Sequence, residues 1–197
     1  MKVDHRSQGI FAPAFTLIEV LVVIAIIAVL ATIVAGGLGW SKRKVAESST
    51  RVLVQSLSRG LEEFSLDNGV YPEGDGSEDS SELLYMALFS DGGEINDASG
   101  EFDDTPEPDG QADSGRTVYL PELDPNKAKP NTIEDNGSYR IIDAWKAPIF
   151  YRHDPEGNDL EMMNPDSDFD LWSLGPDGEG GPGVQSKETR DDITNYK

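Results

Sequence analysis

The chain has 197 residues, of which 37 are acidic and 16 are basic, and its formal net charge is −21. Because such a charge repels a phosphate backbone, the composition argues against nucleic acid as a partner. The absence of cysteine excludes disulfides and thiolate metal sites. The length fits one domain of ordinary size together with an N-terminal anchor.

The first predicted element is a long helix from about residue 15 to residue 67. An apolar run covers residues 20–38, and its only polar member is Thr32. At roughly 1.5 Å per residue, the run is long enough for the ~30 Å hydrocarbon core of a bilayer, whereas a secretory signal has an apolar core of about 7 to 15 residues. The run therefore predicts that residues 15–40 are a membrane-spanning half of the helix.

The apolar pattern continues past the predicted span. Residues at spacings typical of one helix face follow, and they are Val45, Val52, Leu53, Leu57, Leu61 and Phe64. Asn68 and Gly69 predict the helix end, because both accept the left-handed conformation that closes a helix, and Pro72 prevents a restart. This second half of the helix needs a partner surface, which a small sheet would supply.

The rest of the chain predicts an acidic insert followed by strands. The insert, residues 73–136, contains one apolar run at 83–89 that predicts a helix and another at 117–123 that predicts a short strand. Alternating segments at 138–145, 148–152 and 169–174 predict antiparallel strands. The fold class is therefore α+β, with a long N-terminal helix packed on a small antiparallel sheet.

The segment FTLIEV at residues 15–20 resembles the class III signal of type IV pilins and pseudopilins. A single ionised carboxylate beside a long apolar run is costly unless it is paired. The resemblance implies that residues 1–14 are a cytoplasmic leader, that a peptidase cuts between Ala14 and Phe15, and that Phe15 becomes N-methylated. It also implies that Glu19 pairs with the terminal amine of a neighbouring subunit during assembly. Ala14 stands where family members usually have glycine.

Two further blocks resemble the major pseudopilins of type II secretion in particular. The segment DNGVYP (67–72) is similar to the sequence that closes their long helix, and FDLWSLGPDG (169–178) with DDITNY (191–196) is similar to their C-terminal calcium loop. The resemblance implies a Ca²⁺ ion in loop 174–192, held by the side chains of Asp177, Asp191 and Asp192 and by the carbonyl oxygen of Leu174. Calcium takes such oxygen ligands. The segment DAWKAP (143–148) departs from the family, because Lys146 replaces a glycine.

Other site interpretations are weaker. Asp166, Asp168 and Asp170 have the spacing of an EF-hand loop, but Leu171 occupies the position whose sharp turn needs glycine. For catalysis, His153 is the only histidine after the leader, and neither a phosphate-binding glycine motif nor a nucleophile elbow is present. The sequence therefore predicts no enzyme.

The resemblance implies the major structural subunit of the type II secretion pseudopilus, with a periplasmic head at residues 41–197. Expected partners are further copies of the chain, the prepilin peptidase, minor pseudopilins, the inner-membrane secretion platform and the inner membrane itself. The basic residues Lys42, Arg43 and Lys44 suit either acidic neighbours along a filament or anionic headgroups. The alternatives are a type IV pilin for adhesion or DNA uptake, and a membrane-tethered hydrolase or calcium-dependent binding module.

Overall fold

The computed structural model describes residues 15–95, 100–103, 106–153, 164, 167–181 and 191–196, with the backbone alone for residues 33–38 and 102–103. The predicted leader, including Ala14, lies outside the described residues. The chain divides into two compact units, Met1–Lys42 and Arg43–Lys197.

The elements of the described chain form an α+β fold with a long N-terminal helix, as predicted. In chain order they are α1 (Leu17–Asn68), β1 (Gly74–Asp75), α2 (Ser80–Phe89), β2 (Glu94–Ile95), β3 (Phe102–Asp103), a 3₁₀ turn (Pro121–Leu123), β4 (Thr132–Asp135), β5 (Ser138–Ile141), β6 (Phe150–His153), β7 (Asp170–Ser173) and β8 (Ile193–Thr194). The main sheet has the order β1-β6-β7-β8, and all its neighbours are antiparallel. Two hairpins, β2-β3 and β4-β5, lie apart from this sheet.

Helix α1 ends where the sequence predicts. Its last residue is Asn68, and Gly69 follows with a φ of +81°. The Gly69 N–H donates a hydrogen bond of 2.8 Å to the carbonyl of Ser65. The left-handed glycine thus satisfies one of the carbonyls that a helix leaves unpaired at its C-terminal end.

The first unit presents an apolar helix surface. Every side chain of residues 15–32 is exposed, with Leu17 83% and Leu30 56% accessible. Over the described residues, no helix combines the length and the apolar composition needed to cross a membrane, so the span predicted at residues 15–40 is not confirmed.

The core of the second unit forms on one face of α1. Leu57 and Leu61 are fully buried there, as predicted, but Val45 and Val52 are 66% and 58% exposed. At about 100° per residue, Val52 lies some 140° around the helix from Leu57, so its spacing from the other apolar residues does not place it on the core face. The core is completed by apolar side chains from the rest of the unit, which include Leu84, Leu88, Leu123, Ile141, Ile149, Tyr151, Phe169, Leu171 and Ile193.

Buried hydroxyls connect the helices to the strands and turns of the second unit. The Ala144 N–H donates to Thr50 Oγ1 of α1 at 3.2 Å, and Thr50 is only 1% exposed. From α2, the Ser81 hydroxyl donates to the carbonyl of Ile141 at 2.7 Å. Its neighbour Ser80 accepts a backbone N–H of β6 at 3.0 Å. Hydrogen bonds depend on distance and angle, whereas apolar attraction has no preferred direction. These bonds therefore define where each helix lies relative to the strands and turns that it contacts.

One buried carboxylate orders the described part of the acidic insert. Asp91 follows α2 and is 1% exposed. Its Oδ2 accepts the Tyr85 hydroxyl at 2.5 Å and the Gly110 N–H at 2.7 Å, and its Oδ1 accepts the Asp109 N–H at 2.9 Å. These three donors satisfy a charge that would otherwise be costly to bury. The Asp91 carboxylate therefore holds the later loop of the insert, at residues 109–110, against α2. The composition of the insert predicts only long acidic loops around this helix.

The strand predicted at residues 117–123 is wrong. The segment reaches α2 through backbone N–H groups of Tyr119 and Leu120, which both donate to the carbonyl of Leu88. It then forms the 3₁₀ turn Pro121–Leu123. Proline has no N–H to donate to a β-ladder and its fixed φ suits the first turn of a helix, which explains the difference.

Candidate functional site

Helix α1 begins with a reciprocal cap between Thr16 and Glu19. The carboxylate of Glu19 accepts the backbone N–H and the hydroxyl of Thr16, both at 2.8 Å. In return, the Glu19 N–H lies 3.3 Å from Thr16 Oγ1. This is a capping box, in which a threonine and a glutamate three residues later satisfy free N–H groups at a helix start.

Sequence reasoning identified Glu19 but missed Thr16. The signal was present, because TLIE at residues 16–19 has the T-x-x-E spacing that defines the box. Phe15 precedes the cap and is 78% exposed. The predicted cleavage position therefore lies one residue before a defined helix start.

The C-terminal loop, residues 174–181 with residues 191–192, centres on Asp192. Its Oδ2 accepts the Gly181 N–H at 2.9 Å, whereas its Oδ1 is buried without a hydrogen-bond partner among the described residues. Burial raises the pKa of this carboxyl, and the nearby charges of Asp191 and Asp177 raise it further. The protein therefore holds an incompletely satisfied carboxylate in an acidic environment, which is the condition that a bound cation relieves.

Backbone packing at Gly175 and Gly180 allows the loop to approach Asp191 and Asp192 closely. Both glycines have positive φ, of +68° and +131°. A Cβ at Gly180 would meet the Asp192 carboxylate at 2.6 Å, and a Cβ at Gly175 would meet the Asp191 carbonyl at 2.5 Å. Larger residues at either position would push the two segments of the loop apart.

The other predicted calcium ligands have different surroundings. Asp191 forms an ion pair with Arg43 of α1 at 3.5 Å, and Asp177 Oδ1 accepts the Glu179 N–H at 3.1 Å. Leu174 lies directly after β7 and is partly buried. Among the described residues, no three carboxylate or histidine side chains are grouped closely enough to hold a metal ion. The structure thus brings Asp177, Asp191 and Asp192 into one acidic region but not into a formed ligand shell.

The turn at residues 143–148 supports the start of this loop. Asp143 is 4% exposed, and its Oδ1 accepts the N–H groups of Trp145 and Ala147 at 2.8 and 2.9 Å. Its Oδ2 accepts the hydroxyl of Ser173 at 2.6 Å, and Ser173 Oγ in turn accepts the Gly175 N–H at 3.1 Å. Sequence reasoning named this turn for Lys146 and missed the role of Asp143, which depends on a contact distant in sequence.

Lys146 adopts a left-handed backbone conformation. Its φ is +75°, in the left-handed region that side chains with a Cβ rarely enter. Its backbone N–H donates to the carbonyl of Asp143 at 3.2 Å. The turn therefore places a lysine in a conformation that favours glycine.

The remaining candidates occupy structural positions. His153 ends β6, is partly exposed, and has its Nδ1 atom 2.7 Å from the carbonyl of Asp168. Asp170 is fully buried at the first position of β7, so the strand interpretation of residues 169–174 is confirmed. Asp166 lies outside the described residues.

Comparisons with known proteins agree with the N-terminal motif. The family model of the prokaryotic N-terminal methylation motif matches residues 14–35. Over the whole chain and 95% of the relative, the sequence is 29% identical to type II secretion system core protein G of Escherichia coli. The proteins of the same name in Pectobacterium carotovorum and Vibrio cholerae are 28% and 27% identical, over 98% and 93% of this chain and 90% and 91% of their own lengths. No solved structure gives a significant match.

The chain thus combines an N-terminal methylation motif at the start of a long helix with a small antiparallel sheet, which is the arrangement that the resemblance to prepilins implies. Over nearly its whole length, the chain is similar to proteins named type II secretion system core protein G. The resemblance seen at the two ends of the sequence is thereby confirmed.

Proposed function

We propose that the chain is the major structural subunit of a type II secretion pseudopilus, and that it polymerises through its N-terminal helix to move folded proteins across the outer membrane. The observation that carries the proposal is the methylation motif at the start of α1, whose side chains at residues 15–32 are exposed and almost entirely apolar. Such a surface is too large to face water, so it needs partner helices or lipid. Copies of the same helix provide that surface in a filament.

Processing prepares the helix for assembly. We infer that a prepilin peptidase cuts between Ala14 and Phe15 and that the new amine of Phe15 is methylated. The amine then lies one residue before the Thr16 cap and close in sequence to Glu19. In the filament, the carboxylate of Glu19 pairs with the terminal amine of a neighbouring copy, which offsets the cost of a charge inside an apolar bundle.

The cellular setting follows from the same features. Before assembly, the apolar helix half is held at the inner membrane, with residues 1–14 on the cytoplasmic side and the head, residues 41–197, in the periplasm. The inner-membrane secretion platform and the minor pseudopilins are the expected partners during filament growth. Sequence similarity to core protein G over nearly the full length of the relatives supports this setting.

The role of Glu19 can be tested with substitutions that separate charge from capping. Glu19→Gln keeps the T-x-x-Q capping box but removes the charge, whereas Glu19→Ala removes both. We expect both variants to lose most of the pelletable filament and secretion, and Glu19→Asp to lose less. The matched control is Glu63→Ala, an exposed carboxylate on the same helix in the second unit. Normal filament yield from Glu19→Gln would show that the carboxylate acts only as a cap.

We further propose that the C-terminal loop binds one Ca²⁺ ion. The side chains of Asp177, Asp191 and Asp192 and the carbonyl of Leu174 would hold it. The unpartnered Oδ1 atom of Asp192 and the neighbouring carboxylates fit a hard cation with oxygen ligands. A bound Ca²⁺ ion would supply positive charge that joins the two segments of the loop, and its binding free energy would add to the stability of the head.

Thermal unfolding of the head with Ca²⁺ and with a chelator tests this site. We expect Ca²⁺ to raise the unfolding midpoint, and Asp177→Ala and Asp191→Ala to abolish most of the rise. Asp135→Ala, which removes an exposed carboxylate from β4, should keep the full response. Unchanged midpoints in the parent protein would exclude the site without affecting the filament proposal.

A further inference from the structure

Charge is distributed very unevenly in the second unit. Residues 43–197 contain 35 acidic and 13 basic residues, which is a net charge of −22. Residues 43–61 of α1 nevertheless contain four basic residues and one acidic residue, a net charge of +3. The acidic insert at 73–136 contains 18 acidic and three basic residues, a net charge of −15. Heads of this composition repel one another unless their basic and acidic surfaces meet.

A pocket of about 380 Å³ lies on the basic stretch of α1. Arg51, Gln55, Ser58 and Arg59 line it from the helix, and residues 194–196 line it from β8 and the segment that follows. No carboxylate lines this pocket in the part of the chain that the structure describes. We call it the arginine pocket, and its donors suit an acidic ligand.

The two arginines are available for an external partner. Arg59 forms no ion pair with any of the described residues. Arg51 lies 3.7 Å from Glu47 on the same helix, and both side chains are well exposed, at 42% and 37%. An exposed pair at this separation contributes little stability, so an incoming carboxylate competes with it at small cost.

The acidic insert contacts α1 on a different face. Leu120, Glu122 and Asn131 line a second pocket, together with Leu53 and other residues of α1. Averaged over the α1 residues that line each pocket, the two pockets lie about 105° apart around the helix. The surface formed by Leu120, Glu122 and Asn131, here called the insert flank, therefore lies on a different face of α1 from the arginine pocket. Glu122 is exposed there.

We propose that the arginine pocket of one copy receives carboxylates from the insert flank of the next copy, with Glu122 as the leading group. The occupant is a second copy because each copy carries a basic surface and an acidic surface on different faces, and so offers both halves of the contact. Two different surfaces that meet in this way form a heterologous contact, which repeats along an open helical filament. The proposal rests on the filament function above and gives the acidic insert a role in that filament.

Cross-linking in assembled filaments tests this contact. The chain contains no cysteine, so an introduced pair reports only the intended neighbours. In the full chain, Gln55→Cys places a thiol in the arginine pocket and Asn131→Cys places one on the insert flank. We expect a short bismaleimide to give a ladder of covalent oligomers from the double variant and no ladder from either single variant.

Charge reversal separates an electrostatic contact from simple proximity. In the double-cysteine background, Arg59→Glu should lower the ladder yield about fivefold, the upper end of the effect of an exposed ion pair. Adding Glu122→Arg should restore it, and this recovery would show that the Arg59→Glu chain still folds. Lys146→Glu, which reverses an exposed basic residue that lines neither pocket, should leave the ladder unchanged.

Several results would overturn the proposal. Filaments that form without a ladder, or a ladder that is insensitive to both charge reversals, would exclude the contact while leaving the filament function intact. Dimers from a single-cysteine variant would indicate a symmetric contact instead. Adducts with another protein in place of the ladder would show that a different subunit supplies the carboxylate. Absence of filaments from the parent chain would overturn the proposed function together with this inference.

Discussion

The carboxylate of Asp143 and the hydroxyl of Ser173 form a buried hydrogen bond of 2.6 Å that joins the turn after β5 to the end of β7. The same carboxylate accepts two backbone N–H groups of its own turn. Because Ser173 also receives the Gly175 N–H, the bond connects the turn to the first residues of the C-terminal loop.

We therefore expect Asp143→Ala to destabilise the head by about 3 kcal/mol, since it leaves several buried donors without acceptors. Asp143→Asn should cost less, because its amide oxygen still accepts the turn N–H groups. Urea unfolding of the head measures both. Equal stability of Asp143→Ala and the parent would show that the hydrogen bonds of this carboxylate do not stabilise the head.

Lys146→Gly should stabilise the head by about 0.5–1 kcal/mol, because glycine adopts a φ of +75° without the steric cost that a Cβ carries. Asn136→Gly is the matched comparison. Asn136 has a φ of +54°, but asparagine tolerates this region, so the gain should be smaller. The unfolding midpoints of the two variants, measured in the same buffer, show which substitution stabilises the head more. A larger gain from Asn136→Gly than from Lys146→Gly would contradict this prediction.

Thr16→Val should loosen the first turn of α1, because it removes the hydroxyl that Glu19 and its N–H both contact. The local cost should be about 1 kcal/mol, typical of a lost N-cap. Amide hydrogen exchange at Glu19, measured on the full chain in detergent, should become about fivefold faster, while Thr16→Ser should exchange as the parent does. Thr32→Val is the control, since its hydroxyl bonds only the Val29 carbonyl within the helix.

Asp192→Asn should have opposite effects with and without Ca²⁺. The pKa of Asp192 is raised by burial, so the folded state favours its neutral form. Its contribution to stability is thus greatest below the unfolded-state pKa, near 4, and is lost as the pH rises through the folded-state value. At pH 7 in chelator, the Asn variant should unfold at a higher temperature than the parent.

In Ca²⁺, the same variant should lose the rise in midpoint that the parent gains, because it removes a ligand charge. Comparing the two proteins across pH 4 to 7 in chelator completes the test. A midpoint difference that does not grow with pH would show that the Asp192 charge has no effect on folding.

Local signals in the sequence predicted much of the fold. Asn68 and Gly69 define the end of α1 because a left-handed closing residue is a property of the residue itself. The strands β6 and β7 followed from alternation, and the sequence around Phe15 and Glu19 identified the N-terminal methylation motif. The T-x-x-E cap was equally local and could have been found.

The features that sequence reasoning missed depend on distant contacts. Asp143 acts through Ser173, and Asp91 acts through the Tyr85 hydroxyl and the insert backbone. Val52 has the sequence spacing of the core residues but lies on another face of α1. The apolar pattern alone did not distinguish residues of the core face from exposed apolar residues. Pro121 was a local signal against a strand, and the apolar residues around it outweighed that signal in the prediction.

The buried hydrogen bond between the Ala144 N–H and Thr50 Oγ1 has a mechanical consequence for the filament proposed above. Force along α1 acts in shear on the contact between the helix and the rest of the head. Apolar side chains resist such sliding weakly because their attraction has no preferred direction. A hydrogen bond from the Asp143 turn to the helix resists it, because a displacement of about one ångström already breaks its geometry. The hydrogen bond to Thr50 therefore keeps α1 from sliding along the rest of the head when force acts along the helix.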